Sequence, residues 1–235
     1  MSRHWSKEAL LEQIRGGLVV SCQAAQGDAF FGPENVCRFA ISAVRGGACG
    51  IRANTVPDVA AIMAAVEVPV IGLIKRDYEG CPCYITPTMR EVEELAAIEA
   101  PVIAVDATAR PHPDGKDGAT FLRAIRAQFP DWPLMADIST FAEGMAAAEA
   151  GANLLSTTLS GYTEESPKSD LPDFELLRRL AAQSPVPVIA EGRIWTPEQL
   201  RQAMDLGAFA AVVGSAVTRP HEITRHFIQG LRPDK

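Results

Sequence analysis

A short pattern that recurs along the chain does most to limit its fold. Proline followed by two apolar residues and a small one begins at Pro69, Pro101, Pro133 and Pro187. Gly-Ala ahead of an apolar run begins at Gly47, Gly151 and Gly207. Glycine and proline are common just past helix ends, and short apolar runs bounded by turns are typical of buried parallel strands. The pattern therefore predicts repeated junctions from helix to strand.

Eight strand starts can be counted, seven of them at such junctions, and they are separated by about 27 residues on average. The predicted strands start near residues 17, 48, 69, 101, 133, 153, 186 and 209. Helical periodicity is found between them in 56–66, 89–99, 120–129, 141–150, 174–183 and 197–206. A last helix is expected at 222–228, and an extra N-terminal helix at 7–14 precedes the first strand.

This alternation predicts an α/β fold, a (β/α)8 TIM barrel that forms a single domain over residues 1–235. A doubly wound open sheet is the alternative. That fold usually has a glycine-rich loop after its first strand, and residues 20–23 contain no glycine.

Composition limits the partners. The formal net charge is −7, which argues against nucleic acid because proteins that follow phosphates normally carry a basic stripe. The longest apolar stretch, 206–217, is too short to span a bilayer, and residues 1–15 lack an apolar signal core. Five cysteines without framework spacing suit a reducing compartment. We therefore expect a cytoplasmic protein without a membrane partner.

Metal and cofactor sites are not expected. Cys81 and Cys83 flank one proline, with no second pair and no histidine nearby in the sequence, so we interpret them as loop thiols. None of the four histidines falls at a predicted strand end. This argues against both histidine-based catalysis and a metal centre.

Polar residues end nearly every predicted strand, where barrels of this type carry their active sites. The residues that end the strands are Gln23, Arg52, Lys75, Asp106, Asp137, Thr157, Thr158, Glu191, Gly192, Arg193, Gly214 and Ser215, and all but the two glycines are polar. A purely structural barrel has little need for this concentration at one rim. We therefore expect substrate to bind there.

Side-chain alternation within strands ranks the charged candidates. Counted from the proline that opens each repeat, Lys75 lies six residues on, and Asp137 and Glu191 lie four residues on. These even offsets place all three on one face if the registers match, whereas Asp106 lies five residues on and ranks lower. A half-buried lysine can serve as an acid–base group, although a lysine extending from a strand end is the simpler alternative. Asp137 and Glu191 could instead form structural ion pairs.

The last two loops suggest a phosphate site. Gly192 and Arg193 follow the seventh strand, and Gly214, Ser215 and Arg219 follow the eighth. In this fold these loops commonly bind phosphate through backbone N–H groups and a short helix N-terminus. The simpler alternative is that the glycines only form tight turns.

Nine stretches occur together and in order along almost the whole chain. They are VSCQA at 20–24, GIRAN at 50–54, IGLIKRDY at 71–78, YITPT at 84–88, VDAT at 105–108, MADIST at 135–140, TTLSGYT at 157–163, AEGRI at 190–194 and VGSAVTRP at 213–220. In this combination the chain resembles the bacterial N-acetylmannosamine-6-phosphate 2-epimerases. The loops 25–31 and 109–115 depart from the family pattern.

The resemblance implies interconversion of N-acetylmannosamine 6-phosphate and N-acetylglucosamine 6-phosphate in sialic acid breakdown, without metal or redox cofactor. Lys75 and Glu191 would be the acid–base pair. The other expected substrate-binding residues are Gln23, Arg52, Asp137 and Thr158 around the sugar, and Gly192, Arg193, Gly214, Ser215 and Arg219 around the phosphate.

Two alternatives stay open at this point. The chain could be another phosphosugar barrel, a Schiff-base lyase or isomerase with Lys75 as nucleophile. It could also be a barrel that binds an amino-sugar phosphate without turning it over. Whether one or two residues handle the C2 proton is likewise open. A homodimer is the default expectation for the assembly.

Overall fold

Eight parallel strands close into a barrel in the computed structural model, which describes residues 5–231. The strands are β1 (Leu18–Cys22), β2 (Gly50–Asn54), β3 (Val70–Leu73), β4 (Val102–Asp106), β5 (Leu134–Asp137), β6 (Leu154–Ser156), β7 (Val188–Glu191) and β8 (Ala210–Val213). Each strand pairs with the next in the sequence, and β8 pairs with β1. The predicted TIM barrel is confirmed, and every predicted strand start lies within two residues of the observed one.

Helices connect the strands on the outside. They are α1 (Lys7–Ile14), α2 (Pro33–Arg45), α3 (Val56–Ala65), α4 (Met89–Ala97), α5 (Gly118–Gln128), α6 (Phe141–Glu149), α7 (Phe174–Gln183), α8 (Pro197–Asp205), α9 (Ser215–Thr218) and α10 (Pro220–Gln229). The extra N-terminal helix is confirmed as α1. Two helices, α2 and α9, are absent from the sequence prediction. Each described helix is too short or too polar to cross a membrane.

The apolar core has two layers, because successive strand residues point to opposite sides of the sheet. Outward residues such as Val105 and Leu155 pack against the helices. Inward residues such as Leu73 and Met135 fill the barrel. Leu10 and Ile14 of α1 belong to this inner layer and close the amino-terminal end of the barrel.

The register of β4 corrects one prediction. Asp106 pairs with Asp137 across β4 and β5, and Ala104 pairs with Met135. Neighbouring residues in register on parallel strands share a face, so Asp106 points inward as Asp137 does. The inference that its odd offset places Asp106 on the other face was therefore wrong. Its repeat is offset by one residue: Ile103, two residues after the opening proline of β4, pairs with Leu134, one residue after that of β5.

Candidate active site

A cavity of about 350 Å³ opens at the carboxyl ends of the strands. Nearly all of the predicted site residues line it, namely Gln23, Arg52, Lys75, Thr158, Glu191, Gly192, Arg193, Gly214, Ser215 and Arg219. The strands bring these residues together from distant parts of the chain. The rim predicted from the sequence is therefore a real concave surface of a size that fits a small ligand.

Arg52 forms the charged floor of this cavity. Its guanidinium is 1% exposed and binds Asp137 twice, with Nη1 to Oδ1 at 2.9 Å and Nη2 to Oδ2 at 2.5 Å. Nη1 also donates to Oε2 of Glu191 at 2.8 Å. Burial lowers the pKa of Arg52, but the charges of Asp137 and Glu191 outweigh it and hold the pKa above its ordinary value. The guanidinium is therefore permanently charged.

Asp137 lies beneath the cavity and does not line it. Its side chain has no exposed surface. Besides Arg52, it accepts a hydrogen bond of 2.6 Å from the hydroxyl of Thr158. This location supports the structural interpretation of Asp137, because it can fix the orientation of Arg52 without meeting a ligand in the cavity.

Glu191 ends β7 and is held by hydrogen bonds. Oε2 accepts a hydrogen bond of 3.1 Å from Ser156 in addition to the bond from Arg52, and it lies 3.1 Å from the hydroxyl oxygen of Thr158, whose one proton goes to the nearer Asp137. Burial raises the pKa of Glu191, Arg52 opposes this rise, and the nearby charge of Asp137 adds to it. The carboxyl group is thus fixed in place and can hold a proton more readily than a carboxyl group in water.

Lys75 lies two residues beyond β3, where its backbone pairs with Ile85 in an antiparallel bridge. Its N–H donates to Oδ1 of Asn54 at 2.7 Å, which fixes the strand end. The side chain reaches the cavity, and its surface is exposed to the open mouth.

The ammonium group of Lys75 is in an unfavourable setting. Loss of surrounding water is the main cause that lowers its pKa to about 8, and the positive charges of Arg52 and Arg219 lower it further. Glu191 and Asp137 oppose this effect. Because water still enters through the open mouth, we expect the lowering to be fullest when a ligand covers the side chain.

The two glycine loops form one wall of the cavity. Gly192 adopts a φ of 108°, which favours glycine. A Cβ on Gly214 would lie 3.3 Å from the Cβ of Ser21, so a side chain there would crowd β1. The hydroxyl of Thr218 donates to the carbonyl of Ser21 at 2.7 Å and anchors α9 against β1. The N–H groups of Val217 and Thr218 donate to the carbonyl of Gly214, and Gly214 and Ser215, at the start of α9, line this wall.

Arg193 lines the cavity, but its guanidinium is directed at the loop after β6. Nη2 donates to the carbonyl of Ser160 at 2.6 Å and Nε to that of Leu171 at 3.0 Å. The guanidinium also lies over the ring of Tyr162, 4.8 Å from its centre. These contacts fasten the loop, and they use donors that the sequence analysis assigned to phosphate.

A sequence model described as "Putative N-acetylmannosamine-6-phosphate epimerase" matches residues 36–232. The chain belongs to this family. The match covers the strands from β2 to β8 and nearly all of the residues that line the cavity. The family resemblance inferred from the strand ends is therefore confirmed.

Individual relatives in this epimerase family are similar over nearly their whole lengths. A "Putative N-acetylmannosamine-6-phosphate 2-epimerase" of Caldanaerobacter subterraneus subsp. tengcongensis is 50% identical over 223 residues, which cover 95% of this chain and 94% of that protein. A protein of the same name from Enterobacter sp. (strain 638) is 45% identical over 95% of this chain and 96% of its own.

A solved structure of the N-acetylmannosamine-6-phosphate 2-epimerase from Clostridium perfringens aligns with a TM-score of 0.91 at 45% identity. The alignment covers 97% of this chain and 99% of that one. A thiamine phosphate pyrophosphorylase from Pyrococcus furiosus aligns with a TM-score of 0.60 at 16% identity over 95% and 100% of the two chains. The latter likeness shows the shared barrel fold alone.

Among the cavity residues that were not predicted as site candidates, three are aromatic. Tyr84, Tyr162 and Trp195 line the cavity beside the charged groups. They come from loops beyond the strand ends, where counting along strands cannot reach. The one available signal was that Tyr84 and Tyr162 lie inside the YITPT and TTLSGYT stretches quoted for the family.

Proposed function

We propose that this protein interconverts N-acetylmannosamine 6-phosphate and N-acetylglucosamine 6-phosphate, in the breakdown of sialic acid and other amino sugars. Family membership supports the substrate class. The observation that carries the chemistry is that Lys75 and Glu191 line one cavity with pKa values shifted toward each other, above a buried arginine.

The reaction inverts C2 of the open-chain sugar, which lies next to the C1 aldehyde. A base removes the C2 proton, and the bonding electrons move to the carbonyl oxygen at C1 to give an enolate that carries the acetamido group on C2. Return of a proton to the opposite face of C2 gives the other epimer. Arg52 is positioned at the floor of the cavity, and its fixed positive charge would stabilise the developing negative oxygen.

Two side chains of opposite type suit a reversible proton transfer. In one direction ionised Glu191 takes the C2 proton, and the Lys75 ammonium then donates a proton to the opposite face of C2. In the return direction neutral Lys75 is the base and protonated Glu191 is the acid. Both directions therefore use the form of the pair that holds one proton. After a forward turnover Glu191 loses its proton to solvent and Lys75 takes one up from solvent, which restores the starting form of the pair.

Substrate binding can be assigned to unpaired polar groups at the cavity. Among the described residues, Oε1 of Gln23 and Nε of Arg52 are buried without hydrogen-bond partners. We assign them to the sugar hydroxyls and the N-acetyl group, with Thr158 near them. The phosphate is assigned to the N–H groups at Gly192, Gly214 and Ser215 and to the charge of Arg219. The substrate-binding roles of Arg193 and Asp137 stay predictions. The contacts described above favour a structural role for each, in which Arg193 holds the loop after β6 and Asp137 orients Arg52.

We also propose that residues 1–235 form one barrel domain that assembles as a cytoplasmic homodimer. Support for association comes from α10 and the turn that follows it, because the side chains of Phe227, Ile228 and Leu231 are exposed to water and would be buried in an interface. Light scattering coupled to size exclusion tests the assembly, and a monomer at micromolar concentration would contradict it.

The proposed reaction is tested by supplying N-acetylmannosamine 6-phosphate in heavy water and following C2 by NMR. We expect N-acetylglucosamine 6-phosphate with deuterium at C2. Absence of epimerisation would overturn the proposed function, and product without deuterium would overturn the two-residue proton route. Borohydride that trapped substrate on Lys75 would instead support the Schiff-base alternative.

A further inference from the structure

A second group of reactive side chains lies beside the active site, in the walls of two neighbouring loops. Cys83 belongs to the loop after β3, Asp106 ends β4, and His112 belongs to the loop after β4. All three are buried. Each offers one ligand atom, and these atoms lie within 4.8 Å of one another. The mechanism above uses none of them.

His112 is oriented as a metal ligand would be. Its Nδ1 lies 2.8 Å from the carbonyl oxygen of Pro87, and because a carbonyl can only accept, Nδ1 carries the proton. Nε2 is buried and has no hydrogen-bond partner among the described residues. Metal-binding histidines usually donate one ring N–H to a carbonyl or carboxylate and coordinate through the other nitrogen.

Asp106 is fixed by neighbours that leave room for a further ligand. Oδ1 accepts from the backbone N–H of Thr108 at 3.1 Å and from its hydroxyl at 2.7 Å. Oδ2 accepts from Nη2 of Arg110 at 2.7 Å. A carboxylate offers about four lone-pair positions, so these three bonds orient the group without filling it. Ligating carboxylates are commonly held in this way.

Cys83 completes the set. Its Sγ donates to the carbonyl oxygen of Arg110 over a long distance of 3.6 Å. Burial and the charge of Asp106 raise the pKa of the thiol, so without a cation it stays protonated. A bound cation would displace this proton, because the thiolate is the ligand.

We propose that Cys83, Asp106 and His112 form a binding site for a borderline-soft divalent cation of the zinc class. Thiolate, imidazole and carboxylate together suit zinc, whereas magnesium and calcium prefer oxygen ligands alone. Tetrahedral ligand atoms around zinc lie about 3.3–3.8 Å apart, so the loops need to close by about an ångström. Water completes the fourth position.

The bound cation would tie the loop after β3 to the loop after β4. Tyr84, the neighbour of Cys83, lines the active-site cavity, so the tie would also hold one wall of that cavity. This site does not depend on the proposed epimerase reaction. The loop 109–115, which contains His112, is also one of the two that depart from the family pattern.

The test is titration of untagged full-length protein, first stripped with chelator, with cobalt(II) alone. We expect about one cobalt per chain and a near-ultraviolet thiolate-to-cobalt absorption band, which zinc(II) then abolishes by displacement. Cys83→Ser and His112→Gln are expected to lose the band. Cys37→Ser and His226→Gln are the matched controls, because each changes the same type of side chain on a helix outside the two loops, and both should keep the band.

The wild-type protein provides a second measurement in case the variants fold poorly. Zinc(II) should raise the melting temperature and slow the alkylation of Cys83, read by mass spectrometry, while alkylation of Cys81 changes little. Cobalt that binds without the thiolate band, a band that survives in folded Cys83→Ser, or equal alkylation of Cys83 with and without zinc(II) would each overturn the proposal.

Discussion

Arg52 and Glu191 are joined across the mouth of the barrel by a hydrogen bond of 2.8 Å between Nη1 and Oε2. The same guanidinium is held from below by Asp137. Because both carboxylates depend on one buried cation, the stability of the barrel and the chemistry of the cavity share this arginine.

Arg52→Met is expected to destabilise the protein by about 3–5 kcal/mol, because it leaves buried carboxylates without a counter-charge. Arg38→Met is the control, since Arg38 pairs with Glu34 on the surface and such pairs contribute about 0–1 kcal/mol. Chemical denaturation at neutral pH measures both. Equal losses for the two variants would show that the buried network has no special importance for folding.

Lys75→Met is expected to reduce kcat by about 10²–10⁴-fold, the usual contribution of a positioned acid–base group. The melting temperature should change little, because the side chain lies at the open mouth. Lys116→Met serves as control, since Lys116 is exposed and pairs with Asp114 away from the cavity. Near-normal turnover in Lys75→Met would contradict the assigned role.

The pH profile of kcat/KM should be bell-shaped in both directions, because only the pair with one shared proton is active. Below the raised pKa of Glu191 the pair holds two protons and lacks a base. Above the pKa of Lys75, about 8, it holds none and lacks an acid. Removing the positive neighbour with Arg219→Gln should move the alkaline limb to higher pH. A profile that rises without limit above pH 8 would contradict a shared proton.

Arg219→Gln should also raise KM for the phosphorylated sugar about 10- to 100-fold, because a hydrogen bond to a charged group contributes about 1.5–3 kcal/mol. Arg225→Gln is the matched control, since Arg225 lies on α10 and pairs with Glu222. Inorganic phosphate as a competitive inhibitor should weaken in parallel. An unchanged KM would remove Arg219 from the phosphate site.

The recurring proline and Gly-Ala patterns were sufficient to predict the barrel. Each parallel strand follows the end of a helix, and these helix ends carry a glycine or proline signal. The helix α9 was missed since a single turn cannot show helical periodicity. The helix α2 carries a strong amphipathic pattern over Pro33–Arg45, so its signal was present in the sequence and was not used.

The site was predicted as far as strand counting reaches. Lys75, Arg52 and Glu191 line the cavity as expected, because their strands share a register in which alternate residues point inward. Asp106 was placed on the wrong face because the proline of its repeat is shifted by one position against the β5 repeat. The depth of Asp137, beneath Arg52, depends on side-chain packing that alternation along a strand does not specify.

The cluster around Cys83 was beyond reach for a different reason. Cys83 precedes Asp106 by 23 residues, and His112 follows Asp106 by 6. They lie on the loop after β3, at the end of β4 and on the loop after β4, which the pairing of β3 with β4 brings together. Motif spacing finds metal ligands when one turn or helix carries them. It does not find ligands that the barrel itself brings together.

Helix α1 determines the route by which the two sugars enter and leave the enzyme. Leu10 and Ile14 close the amino-terminal end of the barrel. Both epimers must therefore enter and leave at the carboxyl ends of the strands, past the wall formed by the two glycine loops. The two sugars therefore compete for the same empty cavity, and product that accumulates in solution slows the forward reaction. The direction of net flux is then governed by the relative concentrations of the two sugars outside the protein.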